Sequence, residues 1–115
     1  MIEEINQPLE VFTPHSNQFF HQAVDDWLED SESANSTYGH ISTWNTYSVT
    51  DMSNAFSGSS FNQDISDWDV SSVTDMSDMF SNSDSFDQDI SGWDVSNVTD
   101  MSYICLLYTS DAADE

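Results

Sequence analysis

The chain has 115 residues, which is enough for one domain of ordinary size and no more. It contains 22 Asp and Glu residues and neither Lys nor Arg, so its formal net charge is −22. This charge argues strongly against nucleic acid or an anionic membrane as a partner, because both would repel the chain. No apolar run approaches the roughly 18 residues that a membrane-spanning helix needs, so we also expect no direct membrane insertion.

Residues 1–15 are predicted to be irregular, because Pro8 and Pro14 interrupt any continuous helix. The start of the chain has neither the basic stretch nor the apolar core of a secretory signal peptide. If the protein is exported, we therefore expect its signal or anchor to lie upstream of Met1.

Residues 16–30 predict a helix with Ser16 as its N-cap. Apolar residues recur there at helical spacing and form one stripe: Phe19, Phe20, Ala23, Val24, Trp27 and Leu28. Because such a helix would close the open end of the repeats that follow it, we interpret it as a capping helix. Residues 31–40 are rich in small polar residues and are predicted to be a linker with a turn at Gly39.

Residues 41–104 repeat one pattern. Trp44, Trp68 and Trp93 occupy equivalent positions, 24 and then 25 residues apart. A period of this length is typical of a solenoid, in which each unit buries its apolar side against its neighbours. The predicted units are residues 41–64, residues 65–89 and a truncated unit of residues 90–104.

Each unit carries short signals for secondary structure. Ile65 and Ile90 lie between polar residues, as in a three-residue strand, and Ile41 takes the same position. Residues 74–80 predict a single helical or 3₁₀ turn. The sequence therefore predicts an α/β repeat solenoid, with an N-terminal capping helix followed by about two and a half leucine-rich-repeat-like coils with short parallel strands. The expected core of each unit consists of the same positions, with the counterparts one period away, and in the second unit these are Phe61, Ile65, Trp68, Val73, Met76, Met79 and Phe80.

The last segment, residues 105–115, departs from the repeat. After Tyr103 the pattern requires a methionine and a phenylalanine, but Ile104 and Cys105 stand there. The closing CLLYTSDAADE resembles the translated adapter of a transposase-made sequencing library, and we interpret this tail as adapter-derived. The alternative is a true C-terminal cap in which the apolar residues 106–108 cover the last repeat.

The segment FNQDISDWDVSSVTDMSDMF, residues 61–80, resembles the repeat of the BspA-like leucine-rich-repeat surface proteins, which carry W-D-V-S-N-V-T-D-M-S-x-M-F and F-N-Q-D-I-S. The resemblance covers residues 41–103, slightly over half of the chain. The first unit departs from the family pattern at Asn45, Thr46 and Ala55. The resemblance implies a secreted or lipid-anchored protein that acts in adhesion or surface binding, and it brings no catalytic residues.

Repetition turns single carboxylates into columns, such as Asp64 with Asp89 and Asp69 with Asp94. Carboxylates in neighbouring units repel one another unless each is hydrated or a cation bridges them. We predict no cofactor, with Ca²⁺ as the alternative, because oxygen ligands suit it but no Asp-rich calcium loop is present. In the more conservative interpretation, the Asp after each Thr caps a turn and the other columns are solvated. The three histidines share no spacing, and no metal site is predicted from them.

We predict a non-catalytic extracellular or cell-surface module for adhesion, whose partner is a host or matrix protein, a glycan or another surface protein. Enzyme activity is not expected, because no Gly-x-Ser-x-Gly motif is present and a thin solenoid seldom forms a pocket. The alternative function is a purely structural acidic stalk or spacer that calcium or high salt stabilises. The tryptophans are placed at the rim, although packing is the commoner role of such a column. The predicted binding residues are Asp64, Asp67, Asp69, Asp89, Asp94, Trp68 and Trp93.

Overall fold

The computed structural model describes residues 11–102, in which the first regular element is a helix. This helix, α1, spans Asn17–Glu29, and the Ser16 hydroxyl caps it by accepting the N–H of Phe19 at 3.0 Å. Four side chains of its apolar stripe are buried, namely Phe20, Ala23, Val24 and Trp27. Leu28, which the pattern assigned to the same stripe, is 37% exposed.

A second helix, α2, spans Ser31–Tyr38, where a linker was predicted. Asp30 makes it possible, because its carboxylate accepts the N–H of Ser33 at 3.2 Å and caps the new helix. The Tyr38 hydroxyl then donates to the Asp26 carboxylate of α1 at 2.6 Å and ties the two helices together. Gly39 ends α2 with a φ of 83°, a left-handed value that favours glycine. The polar composition of this segment therefore reflects an exposed helix and not a linker.

The predicted α/β solenoid with short parallel strands is wrong, because residues 11–102 contain two α-helices, one 3₁₀ turn and no strand or sheet. Ile41–Thr43, the first predicted strand position, forms the 3₁₀ turn. The segments around Ile65 and Ile90 are turns. The physical reason is local: Asp64, for example, accepts the N–H of Ser66, which a strand would have offered to its neighbour.

Backbone pairing between units occurs elsewhere, at isolated parallel bridges that join Asp51 to Asp75 and Asp75 to Asp100. These bridges lie at the segment that was predicted to be helical, residues 74–80. That prediction fails because Asp78 has a φ of 58°, which breaks a right-handed helix and produces a turn.

One hydrophobic core joins the helices to the repeat units. Its aromatic rings lie nearly parallel from unit to unit: Phe56 stacks on Phe80 with centroids 5.6 Å apart, and Trp44 on Trp68 at 6.3 Å. All seven predicted core residues of the second unit are buried, which confirms that part of the prediction. Of their counterparts in the third unit, Ile90 and Val98 are only partly buried and Met101 is 41% exposed. The helices and turns therefore form one small compact body.

Two of the predicted segments lie outside the described residues. They are the adapter-like tail, residues 105–115, and most of the irregular N-terminal segment. Within residues 11–102, neither helix combines the length and the apolar character that crossing a bilayer requires.

Candidate functional site

The repeated aspartates share one local structure, an Asx turn in which the carboxylate accepts the backbone N–H of the serine two residues later. The N···O distances run from 2.8 to 3.1 Å. In five of these turns the serine hydroxyl also donates to the same oxygen, at 2.6 or 2.7 Å. The seven pairs are Asp51–Ser53, Asp64–Ser66, Asp69–Ser71, Asp75–Ser77, Asp89–Ser91, Asp94–Ser96 and Asp100–Ser102.

The first unit keeps one of these carboxylate turns, Asp51–Ser53, and makes two others without a carboxylate. His40 Nδ1 accepts the N–H of Ser42 at 3.1 Å, and Asn45 Oδ1 accepts the N–H of Tyr47 at 3.2 Å. At these two positions the turn therefore requires a side-chain acceptor and not a negative charge. Turn capping was predicted only for the Asp that follows Thr. The recurring Asp-x-Ser spacing is the sequence signal that predicts a capped turn in every column.

The Asx turns also fix the ionisation of the carboxylates. The N–H and hydroxyl of Ser66 lower the pKa of Asp64, while burial and the negative charge of Asp89 act in the opposite direction. The hydroxyl and N–H of Ser71 lower the pKa of Asp69, against burial and the charge of Asp94. Because the stabilising bonds prevail, these carboxylates are ionised at neutral pH.

The five aspartates predicted to bind a partner are all exposed. Two pairs of them interact electrostatically across the boundary between units. The charge of Asp89 opposes ionisation of Asp64, and the charge of Asp94 opposes ionisation of Asp69. We call these four residues the acidic pairs. Asp67 is exposed as well and lies between the two columns in the sequence. The structure thus brings negative charges together in twos, each held in a fixed orientation by its own turn.

The two tryptophans offered as rim binding residues are buried, with Trp68 3% exposed, as its place in the predicted core requires, and Trp93 9% exposed. Their Nε1–H groups reach back one unit, to the carbonyl of Ile41 at 2.9 Å and to that of Ile65 at 3.1 Å. Burial of the ring and satisfaction of its single donor explain the column as packing between units. In this structure neither indole is placed to contact a ligand.

The histidines lie in three separate settings. His15 contacts the ring of Phe19, His21 pairs with the Asp51 carbonyl at 2.9 Å, and His40 caps the 3₁₀ turn. Within the part of the chain that the structure describes, no group of three or more His, Cys, Asp or Glu side chains is arranged to hold a metal ion.

An open cavity of about 370 Å³ lies between α1 and α2 and was not predicted. Its lining includes the acidic residues Asp26, Glu29 and Asp30 together with Tyr38. The hydrogen bond to Asp26, burial and the charge of Asp26 raise the pKa of the Tyr38 hydroxyl. The phenol therefore keeps its proton and serves to join the helices.

Comparison with known proteins gives a family but no characterised relative. Neither the curated proteins nor the solved structures contain a match. A family model matches residues 28–111, well over half of the chain, and this span includes α2 and all the described repeat units. The chain therefore belongs to the family described as Mycoplasma protein of unknown function, DUF285.

Proposed function

We propose that the chain is a non-catalytic extracellular or cell-surface module that binds a protein or a glycan, and that it is akin to the BspA-like surface proteins. The kinship rests on the motif in residues 61–80, which resembles the repeat of those proteins. Membership in the DUF285 family is compatible with this proposal and leaves the activity open.

The observation that carries the proposal is the set of acidic pairs. Each carboxylate is exposed, ionised and oriented by its own Asx turn. A partner would therefore meet charges that need little further ordering, which favours affinity. Because the chain contains no Lys or Arg, none of these carboxylates can pair with an internal cation of that kind. A partner of positive charge is favoured on electrostatic grounds.

The alternative is a purely structural acidic spacer, stabilised by calcium or high salt. It is supported by the repulsion within each acidic pair, where the charge of one carboxylate opposes ionisation of the other. Salt would screen such exposed charges at ordinary ionic strength, and a divalent cation would bridge them. On this view the columns carry charge for solubility and spacing, and no macromolecular ligand exists.

The experiment is the double variant Asp69→Asn with Asp94→Asn, tested for capture on an array of matrix proteins and glycans. Asparagine preserves the turn acceptor, as Asn45 does in the first unit, so only the charge changes. The matched control is Asp25→Asn with Glu29→Gln, which removes the same charge from α1. We expect the first variant to lose capture, the control to retain it, and both to melt like the wild type.

Unchanged capture by the first variant would refute the proposal. Absence of any captured ligand, together with a melting temperature that rises when calcium is added, would favour the spacer. The same array therefore separates the two functions.

A further inference from the structure

The first repeat unit has no preceding unit, yet its bonding positions are filled. Between the first two units, the N–H groups of Thr74 and Asp75 donate to the Thr50 carbonyl at 2.8 and 3.4 Å, and the same pattern recurs one unit later. In the first unit, the N–H groups of Thr50 and Asp51 donate to Asn17 Oδ1 at 2.9 and 3.2 Å. The amide oxygen of Asn17 thus takes the place of a threonine carbonyl.

A second side chain of α1, that of His21, replaces a backbone group in the same way. The Asp75 carbonyl accepts the N–H of Met52, from the preceding unit, at 2.9 Å. The equivalent carbonyl of Asp51 pairs with His21 Nε2, also at 2.9 Å. Because a carbonyl can only accept, Nε2 of His21 carries the proton and donates it. The imidazole therefore takes the place of a methionine N–H.

Both substitutes come from one face of α1, because Asn17 and His21 are four residues apart. Between them Phe20 is fully buried and packs edge-on against Trp68, with the ring centroids 5.6 Å apart. The helix therefore supplies the apolar contact and the hydrogen bonds of a repeat unit together.

We propose that α1 is a repeat mimic that blocks self-association, because Asn17 and His21 occupy the edge to which a second copy of this chain would otherwise bind. The inference is independent of the proposed function. An unpaired backbone edge of this kind is a ready site for pairing with another chain.

A second copy is the matching partner because the third unit, the last that the structure describes, carries the complementary groups. The Thr74 carbonyl and the Met76 N–H bond to the third unit, but within residues 11–102 the equivalent Thr99 carbonyl and Met101 N–H have no hydrogen bond. Met101 is also 41% exposed. Its segment would present to Thr50 and Asp51 the same acceptor and donor as α1 does. Such head-to-tail contacts do not close, so an uncapped chain would form open-ended assemblies.

The test is sedimentation velocity of the full chain over a series of concentrations. The wild type is expected to be monomeric. Asn17→Ala with His21→Ala should associate at least about tenfold more tightly, because each lost competing hydrogen bond shifts an equilibrium several-fold. Adding Met101→Pro, which removes the donor at the opposite edge, should abolish that association. Gln22→Ala is the control, because its side chain bonds only to Asp26 on the exposed side of α1.

Three outcomes would overturn the proposal: a folded double variant that stays monomeric, association that survives Met101→Pro, or a wild type that already associates. If the double variant loses its helical circular dichroism signal, His21→Phe carries the same test. That change keeps an aromatic ring and removes the donor, so association is expected to tighten several-fold, and a monomer again refutes the proposal.

Discussion

Replacement of Trp68 by phenylalanine tests whether the column of Trp44, Trp68 and Trp93 serves to pack the units together or to bind a ligand. Trp68 is 3% exposed, and its Nε1–H donates to the Ile41 carbonyl at 2.9 Å. Phenylalanine retains an aromatic ring at this position, but it removes the donor and part of the buried ring. The change therefore isolates the contribution of the indole to stability.

The expected loss has two parts. A buried hydrogen bond contributes about 0.5–1.5 kcal/mol, and the lower half of that range applies because the Ile41 carbonyl keeps a second donor, the Trp44 N–H, at 3.3 Å. Shrinking a fully packed side chain adds about 1–2 kcal/mol for lost contacts and a residual cavity. Together these lower the free energy of unfolding by about 1.5–3 kcal/mol. In a domain of this size that corresponds to a fall in melting temperature of at least about 6 °C.

Urea unfolding followed by far-ultraviolet circular dichroism measures this loss without relying on indole fluorescence. Asp67→Asn is the control, since its exposed carboxylate should change stability by less than about 0.5 kcal/mol. If Trp68→Phe also changed stability by less than that amount, the packing role would be refuted.

Two further predictions concern stability. Asx turns lower the pKa of Asp69 and Asp94, so protonating these carboxylates costs more free energy in the folded chain than in the unfolded one. The stability that the turns contribute is therefore fully present above the ordinary pKa of 3.8. It is lost as the pH falls through the lowered pKa values. Melting temperatures measured at decreasing pH should fall in this range; a steady rise would mean that relief of charge repulsion dominates. Gly58→Ala should lower the free energy of unfolding by about 1 kcal/mol in a urea titration, because its φ of 68° strains any side chain although no atom lies within 4 Å. Gly92→Ala is the matched control, equally open but without positive φ, and an equal loss in both variants would refute strain as the cause.

The acidic columns combine two roles that sequence inspection treats as alternatives. Asp69 closes a turn through Ser71 and still exposes its charge. Asn45 shows that the turn alone does not require that charge. The Asp residues of the later units therefore add a surface charge that the turn does not need. The binding experiment removes this charge and keeps the turn.

Most of the core could be predicted from the repeating pattern of apolar residues. Val73, Met76 and Phe80 were identified from a column pattern, and all are buried. The first helix was equally accessible, because Ser16 and a 3.6-residue apolar spacing are local signals. Periodicity reports burial reliably, since a buried column accepts few residue types whatever the backbone conformation.

The backbone conformation of the repeats could not be predicted in the same way, because it depends on contacts between distant parts of the chain. An apolar residue between polar neighbours fits a strand or a turn equally well, and at Ile65 the choice fell to the turn because Asp64 captures the N–H of Ser66. The segment containing Asp75 instead pairs with residues a full unit away, which no local pattern encodes. The same holds for Trp68, whose donor is satisfied 27 residues back in the chain. Burial can be predicted from the local pattern of residue types. Hydrogen-bond partners cannot, because the donor and acceptor come together only when the chain has folded.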